Sequence, residues 1–118
     1  MTSIGQVSTV TDENFCEVLQ GGTPVLVDFW ATWCGACQLM FSTLSAVARE
    51  FDGRLLVMKL DVDKSPLTAE RYDIGPLPTL KLFYAGQVLH TVVGARTTSS
   101  LVTELSPFLE GHPSGRPG

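Results

Sequence analysis

The hydrophobic pattern changes its period at residue 34, and this change narrows the choice of fold sharply. Residues 25–31 (Val-Leu-Val-Asp-Phe-Trp-Ala) are apolar on both faces of an extended chain, which is typical of a strand covered on two sides. From Cys37 to Phe51, apolar residues recur at helical spacing for about four turns. A buried strand that leads directly into a long helix predicts an α/β domain, with its site beyond the carboxyl ends of the parallel strands.

Strand and helix patterns alternate along the rest of the chain. In order, they predict a weak strand near 4–10, a helix ending at 21–22, the strand at 25–31, the long helix, a strand at 55–60, a short helix at 65–72, a hairpin of 79–84 and 87–93, and a last helix near 97–109. Thr11 is the predicted N-cap of the first helix, with the following acids in its first turn. Pro107 is predicted to kink the last helix or end it early. The order predicts a mixed sheet with helices on both faces.

Length and composition favour one globular domain. The chain has 118 residues, and with 44% apolar and 17% charged residues it is too apolar for a disordered protein. We expect the domain to occupy residues 1–110, followed by a flexible tail rich in Gly, Pro and Ser at 111–118. The net charge of −4 and the scattered Lys and Arg argue against nucleic-acid binding. With no run of about eighteen apolar residues and no secretory signal, we expect no membrane association and a cytoplasmic protein. We also expect a monomer.

The segment Trp33-Cys34-Gly35-Ala36-Cys37 opens the long helix directly after the buried strand. At a helix N-terminus, unpaired backbone N–H groups and the positive end of the helix dipole stabilise a thiolate, which is the nucleophilic form of cysteine. The two-residue spacer on a helical turn brings the two sulfurs close enough to bond. We therefore predict that Cys34 attacks a disulfide and that Cys37 resolves the mixed disulfide.

A zinc half-site is the alternative interpretation of this cysteine pair. Structural zinc needs four ligands, usually with a second Cys or His pair at short spacing. The remaining candidates, Cys16, His90 and His112, are isolated along the chain, so redox chemistry is favoured and no metal site is predicted. Cys16 is expected to be a semi-buried small residue, with a regulatory thiol as the alternative. His90 is expected to face solvent on its strand.

Asp28 is the only charged residue in the apolar run at 25–31. An ionised carboxylate is costly in a buried strand, so the pKa of Asp28 should rise. Asp28 precedes Cys34 on the strand that leads into the motif, and Lys59 on the neighbouring strand is its expected charge partner. We predict that Asp28 exchanges a proton with Cys37, the alternative being a satisfied core carboxyl without a catalytic role.

Several segments together resemble the thioredoxin family. The resemblance spans about residues 4–109 and rests on Val-Asp-Phe-Trp-Ala at 27–31, Trp-Cys-Gly-x-Cys at 33–37, Lys59, Leu-Pro-Thr at 77–79, Phe-x-x-Gly at 83–86 and Val-Gly-Ala at 93–95. It implies the thioredoxin fold, an α/β architecture with a central five-stranded mixed sheet flanked by four helices.

The resemblance also implies a substrate groove and an electron source. It implies that the Leu77–Pro78 bond is cis and faces the cysteine pair, although the residues alone are compatible with either isomer. The implied groove is lined by Trp33, Leu77, Pro78, Gly94 and Ala95. The implied activity is reduction of disulfides in cytosolic protein substrates, with no bound cofactor and with electrons from NADPH supplied by a thioredoxin reductase.

The spacer between the cysteines departs from the family's usual Gly-Pro, because Gly35 is followed by Ala36. Proline has no N–H, so Ala36 is expected to bring an N–H near the Cys34 sulfur and to make the protein more oxidising. Gly35, Ala36 and Lys59 are therefore the candidate redox-tuning residues. Two alternatives stay open: a more oxidising, isomerase-like or specialised member, and a non-catalytic binding module of the same fold.

Overall fold

Strands and helices alternate along residues 6–110, the part of the chain that the computed structural model describes. In chain order the elements are β1 (Val7–Thr9), α1 (Phe15–Val18), β2 (Val25–Trp30), α2 (Gly35–Glu50), β3 (Leu56–Asp61), α3 (Pro66–Arg71), β4 (Thr79–Tyr84), β5 (Gln87–Val93) and α4 (Thr98–Glu110). The bounds of β4 and β5 match the predicted hairpin, and α2 begins directly after Cys34. The first residues of the predicted weak strand, 4 and 5, and the predicted tail lie outside the described residues.

The described strands form one mixed sheet of five strands, in the order β1-β3-β2-β4-β5. Strands β1, β3 and β2 run parallel, whereas β4 runs antiparallel to both β2 and β5. Together with the four helices, this is the architecture that the resemblance implied. Because β2 and β3 end at the edge of the sheet where β4 begins, the segments that follow β2 and precede β4 meet there.

Successive residues of β2 point to opposite faces of the sheet and bury two apolar clusters. Leu26 joins the cluster under α2 and α4, together with Leu44. Val27 joins the cluster on the other face, together with Phe15 of α1. Truncating a leucine buried this completely costs about 2–5 kcal/mol, so these clusters fix the helices on the sheet. The same alternation places Asp28 on the face that α2 covers.

Helix α1 begins later than predicted, and Thr11 is not its N-cap. The helix starts at Phe15 with Asn14 as its N-cap, and the Thr11 N–H donates to Asn14 Oδ1 at 2.8 Å within the preceding turn. Asp12 serves α3 instead, since its carboxylate accepts the Thr68 N–H at 2.8 Å and the Thr68 hydroxyl at 2.7 Å. The acid predicted for the first turn of α1 therefore satisfies the start of a helix far along the chain.

Helix α4 runs from Thr98 to Glu110, so the prediction that Pro107 ends it early is wrong. Proline removes only one backbone hydrogen bond of the helix and blocks one carbonyl. Leu105 and Leu109, on either side of Pro107, are both buried in the cluster under α2 and α4. Their burial holds the last turn of the helix against the core and outweighs the local preference of proline.

Candidate active site

Cys34 is the N-cap of α2, with extended backbone angles (φ −100°, ψ 106°). Its Sγ accepts the Cys37 N–H at 3.2 Å, and its own N–H donates to the Ala31 carbonyl at 3.2 Å. Cys34 and Cys37 form a disulfide across the first helical turn, with their Cα atoms 5.3 Å apart. The motif therefore holds both sulfurs together at the positive end of a sixteen-residue helix.

The two cysteines differ in their access to solvent. Cys34 is 9% exposed, whereas Cys37 is fully buried under the first turn of α2. We had expected the Ala36 N–H to contact the Cys34 sulfur. In this disulfide form, the N–H that contacts it belongs to Cys37. The redox-tuning roles of Gly35 and Ala36 accordingly stay a prediction.

Asp28 lies in the middle of β2 and is fully buried. Within residues 6–110, neither of its carboxylate oxygens has a hydrogen-bond partner. Burial raises the pKa of Asp28 to about 7, and the positive charge of Lys59, its neighbour in the register of β2 and β3, partly opposes this rise. A carboxyl with such a pKa can both take up and release a proton near neutral pH.

Trp33 stands at the rim of the site, with 70% of its surface exposed. Its indole Nε1 donates to Asp63 Oδ2 at 2.9 Å, and the Asp63 N–H donates to the buried carboxylate of Asp61 at 2.9 Å. The segment after β3 thereby orients the ring beside the cysteine motif. Sequence reasoning did not identify Asp63 as the partner of Trp33. The available signal was that Asp63 closely follows β3, which ends beside the cysteine motif. We call this end of the sheet, where β2, β3 and β5 end and β4 begins, the active edge.

The turn before β4 contains the cis Leu77–Pro78 bond that the resemblance implied. The Thr79 hydroxyl closes the turn by donating to the Pro76 carbonyl at 2.6 Å. Leu77 is half-buried and packs against the apolar cluster that contains Phe15, so part of its side chain belongs to the core.

Pairing of the strands places this turn beside the cysteine motif. Thr79 pairs with Phe29 of β2 and with Val93 of β5, so Pro78 lies next to the end of β2, where the cysteine loop begins. The Pro78 carbonyl accepts the Gly94 N–H at 2.8 Å. Gly94 has a φ of +93°, which is unfavourable for residues with a side chain. The proline turn and the glycine loop therefore share the edge of the sheet at which α2 begins.

Arg96 holds the loop that follows β5. One guanidinium nitrogen donates to the Val93 carbonyl at 3.1 Å and to the Ala95 carbonyl at 3.2 Å, and Nε lies 3.4 Å from Glu104 Oε1. The Arg96 N–H donates to the sulfur of Met40 on α2 at 3.4 Å. The loop with Gly94 and Ala95 is thus tied to both α4 and α2, which no local sequence signal indicated.

His90 is only partly exposed, because it packs against α4, whereas we had expected it to face solvent. Its Nε2 lies 2.8 Å from Glu104 Oε2, and its ring stacks on Phe108 with centroids 4.9 Å apart. The hydrogen bond from His90 is the main cause that lowers the pKa of Glu104, with Arg96 adding to it. His90 therefore fixes α4 on β5 rather than offering a ligand to the site.

Comparison with known proteins places this site in a family. The chain matches the family model described as Thioredoxin over residues 6–107. The chain belongs to the thioredoxin family. The match covers all of the elements described above except the end of α4.

Several thioredoxins are similar to the chain along most of its length. It is 47% identical over 98 residues to a thioredoxin of Mycobacterium tuberculosis, which covers 82% of this chain and 84% of the relative. It is 40% identical over 104 residues to a thioredoxin of Pyropia yezoensis, covering 87% of this chain and 97% of the relative. A bifunctional thioredoxin reductase/thioredoxin of Mycobacterium leprae is 43% identical over 103 residues, which make up 86% of this chain and 22% of that protein.

Family membership and the bonded cysteine pair define the chemistry of the site. As a thioredoxin-family protein with a Cys34–Cys37 disulfide at the start of α2, the chain is a protein thiol–disulfide oxidoreductase. The disulfide at a helix N-terminus is opened by two electrons and re-formed when they are passed on.

Other sequence candidates lie apart from the active edge of this thioredoxin-family protein. Cys16 is exposed rather than semi-buried, and the Arg71 guanidinium contacts its sulfur at 3.6 Å. Residues 6–110 contain no cluster of three or more His, Cys, Asp or Glu that could hold a metal ion, and His112 lies outside this range. No helix in the described part of the chain is long and apolar enough to cross a membrane.

Proposed function

We propose that this thioredoxin-family protein reduces disulfide bonds of protein substrates, with Cys34 as the nucleophile and Cys37 as the resolving thiol. The observation that carries this proposal is the unequal exposure of the pair, since Cys34 is 9% exposed and Cys37 is fully buried. A substrate sulfur reaches the exposed partner first. The Cys37 N–H at 3.2 Å and the helix N-terminus favour negative charge on the Cys34 sulfur.

The proposed reaction consists of two exchanges. The Cys34 thiolate attacks one sulfur of the substrate disulfide, forms a mixed disulfide and expels the other substrate sulfur as a thiolate. Cys37 then loses its proton and attacks Cys34 Sγ, which forms the Cys34–Cys37 disulfide and releases the second substrate sulfur. Overall, the substrate gains two electrons from the cysteine pair, and its two thiolates take up two protons, one equivalent to the proton that Cys37 releases and one from solvent.

Asp28 is the proposed acceptor of the Cys37 proton in the second exchange. Its support is a buried carboxyl that has no hydrogen-bond partner among residues 6–110, a pKa of about 7, and a position on the face of the sheet that α2 covers. Asp28→Asn should slow the second exchange by roughly 100-fold at pH 7, the lower end of what a general base contributes. Stopped-flow measurement of the Trp33 and Trp30 fluorescence follows this step.

Residues of the active edge form the proposed groove for an extended substrate segment. The exposed Trp33 ring, Leu77 and Pro78 of the turn, and Gly94 and Ala95 of the next loop are its candidate walls. The register of β4 with β2 and β5 supports this grouping, because it brings both loops to the end of β2. Backbone groups of Leu77 are the proposed hydrogen-bond partners of the substrate.

A thioredoxin reductase that draws on NADPH is the proposed electron donor. The support is the relative in Mycobacterium leprae, whose name combines thioredoxin reductase and thioredoxin. We place the protein in the cytoplasm as a monomer that uses its own disulfide and no bound cofactor.

Trapping of the mixed disulfide tests this function. In a Cys16→Ser background, Cys37→Ser should accumulate covalent complexes with disulfide-containing proteins on a non-reducing gel. Cys34→Ser, the matched control, should accumulate none. Complexes with Cys34→Ser but not with Cys37→Ser would reverse the roles of the cysteines, and no complexes with either variant would favour a non-catalytic binding module.

A further inference from the structure

Lys59 is the charged neighbour of Asp28, but the two do not form an ion pair. They are paired in the register of β2 and β3, and both carboxylate oxygens of Asp28 lack a partner among the described residues. The Lys59 ammonium lies instead over two aromatic rings, 4.4 Å from the Phe41 centroid and 5.5 Å from the Trp30 centroid. The ammonium is therefore held by ring faces, close to the carboxyl and out of contact with it.

The rings of Phe41 and Trp30 together form a cation–π site for the Lys59 ammonium. Phe41 projects from α2 and packs edge-to-face on Trp30 of β2, with centroids 5.1 Å apart and an interplanar angle of 85°. Lys59 is half-buried between β3 and α2, so its ammonium is partly dehydrated. A cation over an aromatic face is attracted most strongly when water is partly excluded. Phe41, the nearer ring, is the principal anchor.

We propose that Phe41 is a positioning residue for proton exchange at Asp28, because its ring keeps the Lys59 ammonium beside the buried carboxyl without contact. The proposal rests on the proton-accepting role of Asp28 given under Proposed function. If the ammonium contacted Asp28, the carboxylate would stay ionised. If the ammonium moved into water, the charged form of Asp28 would lose its stabilising charge and the carboxyl would stay protonated. The intermediate position lets the carboxyl change its protonation state near neutral pH.

Lys59 is the main charge that acts on Asp28 from this side of the sheet. Titratable side chains on the elements of this face also include Cys37 of α2, Asp61 of β3 and Glu104 of α4, but Lys59 is the charge that lowers the pKa of Asp28. Asp61 binds backbone N–H groups of the segment after β3, and Glu104 pairs with Arg96. Strand β1 contributes no charged residue, and Leu80 of β4 lies opposite Asp28. Loss of the ring frees the ammonium to move into water, so Asp28 should then ionise at a higher pH.

Direct titration of Asp28 tests the proposal. The ¹³C resonance of the Asp28 carboxyl is followed by NMR against pH in the reduced, full-length protein. In Phe41→Leu the titration midpoint should rise by roughly 1 pH unit, the lower end of what an opposite charge a few ångströms away contributes. Phe41→Tyr, which keeps the ring face, should titrate as the wild-type protein does. Phe108→Leu is the matched control, since Phe108 is a half-buried aromatic residue against the same core cluster and should leave the midpoint unchanged.

A double-mutant cycle separates positioning from a general loss of packing. Lys59→Met should raise the midpoint, and Phe41→Leu combined with Lys59→Met should raise it no further, because the ring acts only through the ammonium. An unchanged midpoint in Phe41→Leu, or shifts that add in the double variant, would overturn the proposal. Upfield ring-current shifts of the Lys59 ε-protons should be present in the wild-type protein and Phe41→Tyr, and ordinary shifts there would also overturn it.

These measurements do not depend on turnover. If Asp28→Asn leaves the second exchange as fast as in the wild-type protein, the proton-accepting role fails while the ring-dependent midpoint can still be observed. If the titration midpoint of Asp28 is the same in Phe41→Leu as in the wild-type protein while Asp28→Asn slows the exchange, the positioning role fails and the proposed function stands.

Discussion

A carboxyl group that is buried without a hydrogen-bond partner destabilises the folded state once it ionises. Burial raises the pKa of Asp28 from 3.8 to about 7, and the Lys59 ammonium only partly opposes this rise. Between these two pH values the folded protein keeps a proton that the unfolded chain releases. The contribution of Asp28 to stability therefore falls as the pH rises from about 4 to about 7 and is constant above the folded-state pKa.

Replacement of Asp28 by asparagine should therefore stabilise the protein in a pH-dependent way. At pH 8, the free energy of unfolding of Asp28→Asn should exceed that of the wild-type protein by about 2–4 kcal/mol. Near pH 4 the difference should be much smaller. Urea unfolding at the two pH values measures this difference. Asp52→Asn, at an exposed carboxylate, is the matched control and should show neither effect. An equal gain from Asp28→Asn at both pH values would show that ionisation is not the cause.

At the scale of elements, the loop after β5 depends on contacts from two helices. Arg96 bonds the carbonyls of Val93 and Ala95 and pairs with Glu104 of α4, while its N–H contacts Met40 of α2. The loop itself carries two of the proposed groove residues. Its shape is therefore set by a side chain that makes no proposed contact with substrate.

Removal of the Arg96 side chain should weaken binding of protein substrates. Arg96→Ala should raise KM for a protein disulfide roughly fivefold, as expected from loss of about 1 kcal/mol of hydrogen bonding in the loop. Its rate with a small disulfide reagent, which needs no groove, should change little. Arg54→Ala, at an exposed arginine over Phe51, is the control. Equal losses with both kinds of substrate would contradict a role confined to the groove.

Pro107 should limit the stability of α4. Replacement by alanine restores an N–H and removes the clash of the proline ring, so Pro107→Ala should raise the free energy of unfolding by roughly 1–3 kcal/mol. Thermal unfolding measures the change. Thr103→Ala, at another exposed position of the same helix, should shift the midpoint far less. A destabilised Pro107→Ala would mean that the proline is needed where it stands.

Sequence patterns predicted those features whose signal is local. The hairpin was predicted at its observed bounds, because apolar residues and a Gly-containing turn lie together in the chain. The cysteine pair and Asp28 were predicted for the same reason, as a change of period and a lone charge in an apolar run. The start of α1 was misplaced because the partner of Asp12 is in α3. Asp63, Arg96 and Phe41 were not predicted, because their partners meet them only in the folded sheet.

On the scale of the whole molecule, the reactive residues lie at the active edge of the sheet, and the apolar clusters that stabilise the fold lie between the sheet and its helices. The ends of β2, β3 and β5 and the start of β4 supply the active edge, whereas both apolar clusters fill the space between sheet and helices. Leu109 is the last residue of these clusters in the described chain, and the family match ends at residue 107. We therefore propose that residues 1–110 form the folded domain.

Truncation tests this domain boundary. A chain that ends at Glu110 should unfold at the same temperature as the full chain and should reduce a protein disulfide at the same rate. A second truncation after Ser106, which removes Leu109, should lower the midpoint markedly, since loss of a buried leucine costs about 2–5 kcal/mol. A large loss of stability in the first truncation would assign residues 111–118 to the domain.

The reduction potential of the Cys34–Cys37 pair tests the proposed function most directly. The Cys16→Ser protein is equilibrated in dithiothreitol and glutathione buffers, and its redox state is read from tryptophan fluorescence and from mass after alkylation. We predict one two-electron transition close to roughly −270 mV, as in a reducing thioredoxin, displaced by at most a few tens of millivolts toward oxidising values by Ala36. A midpoint near roughly −180 mV, typical of an isomerase, or the absence of a two-electron transition, would contradict the proposal that this protein reduces its substrates.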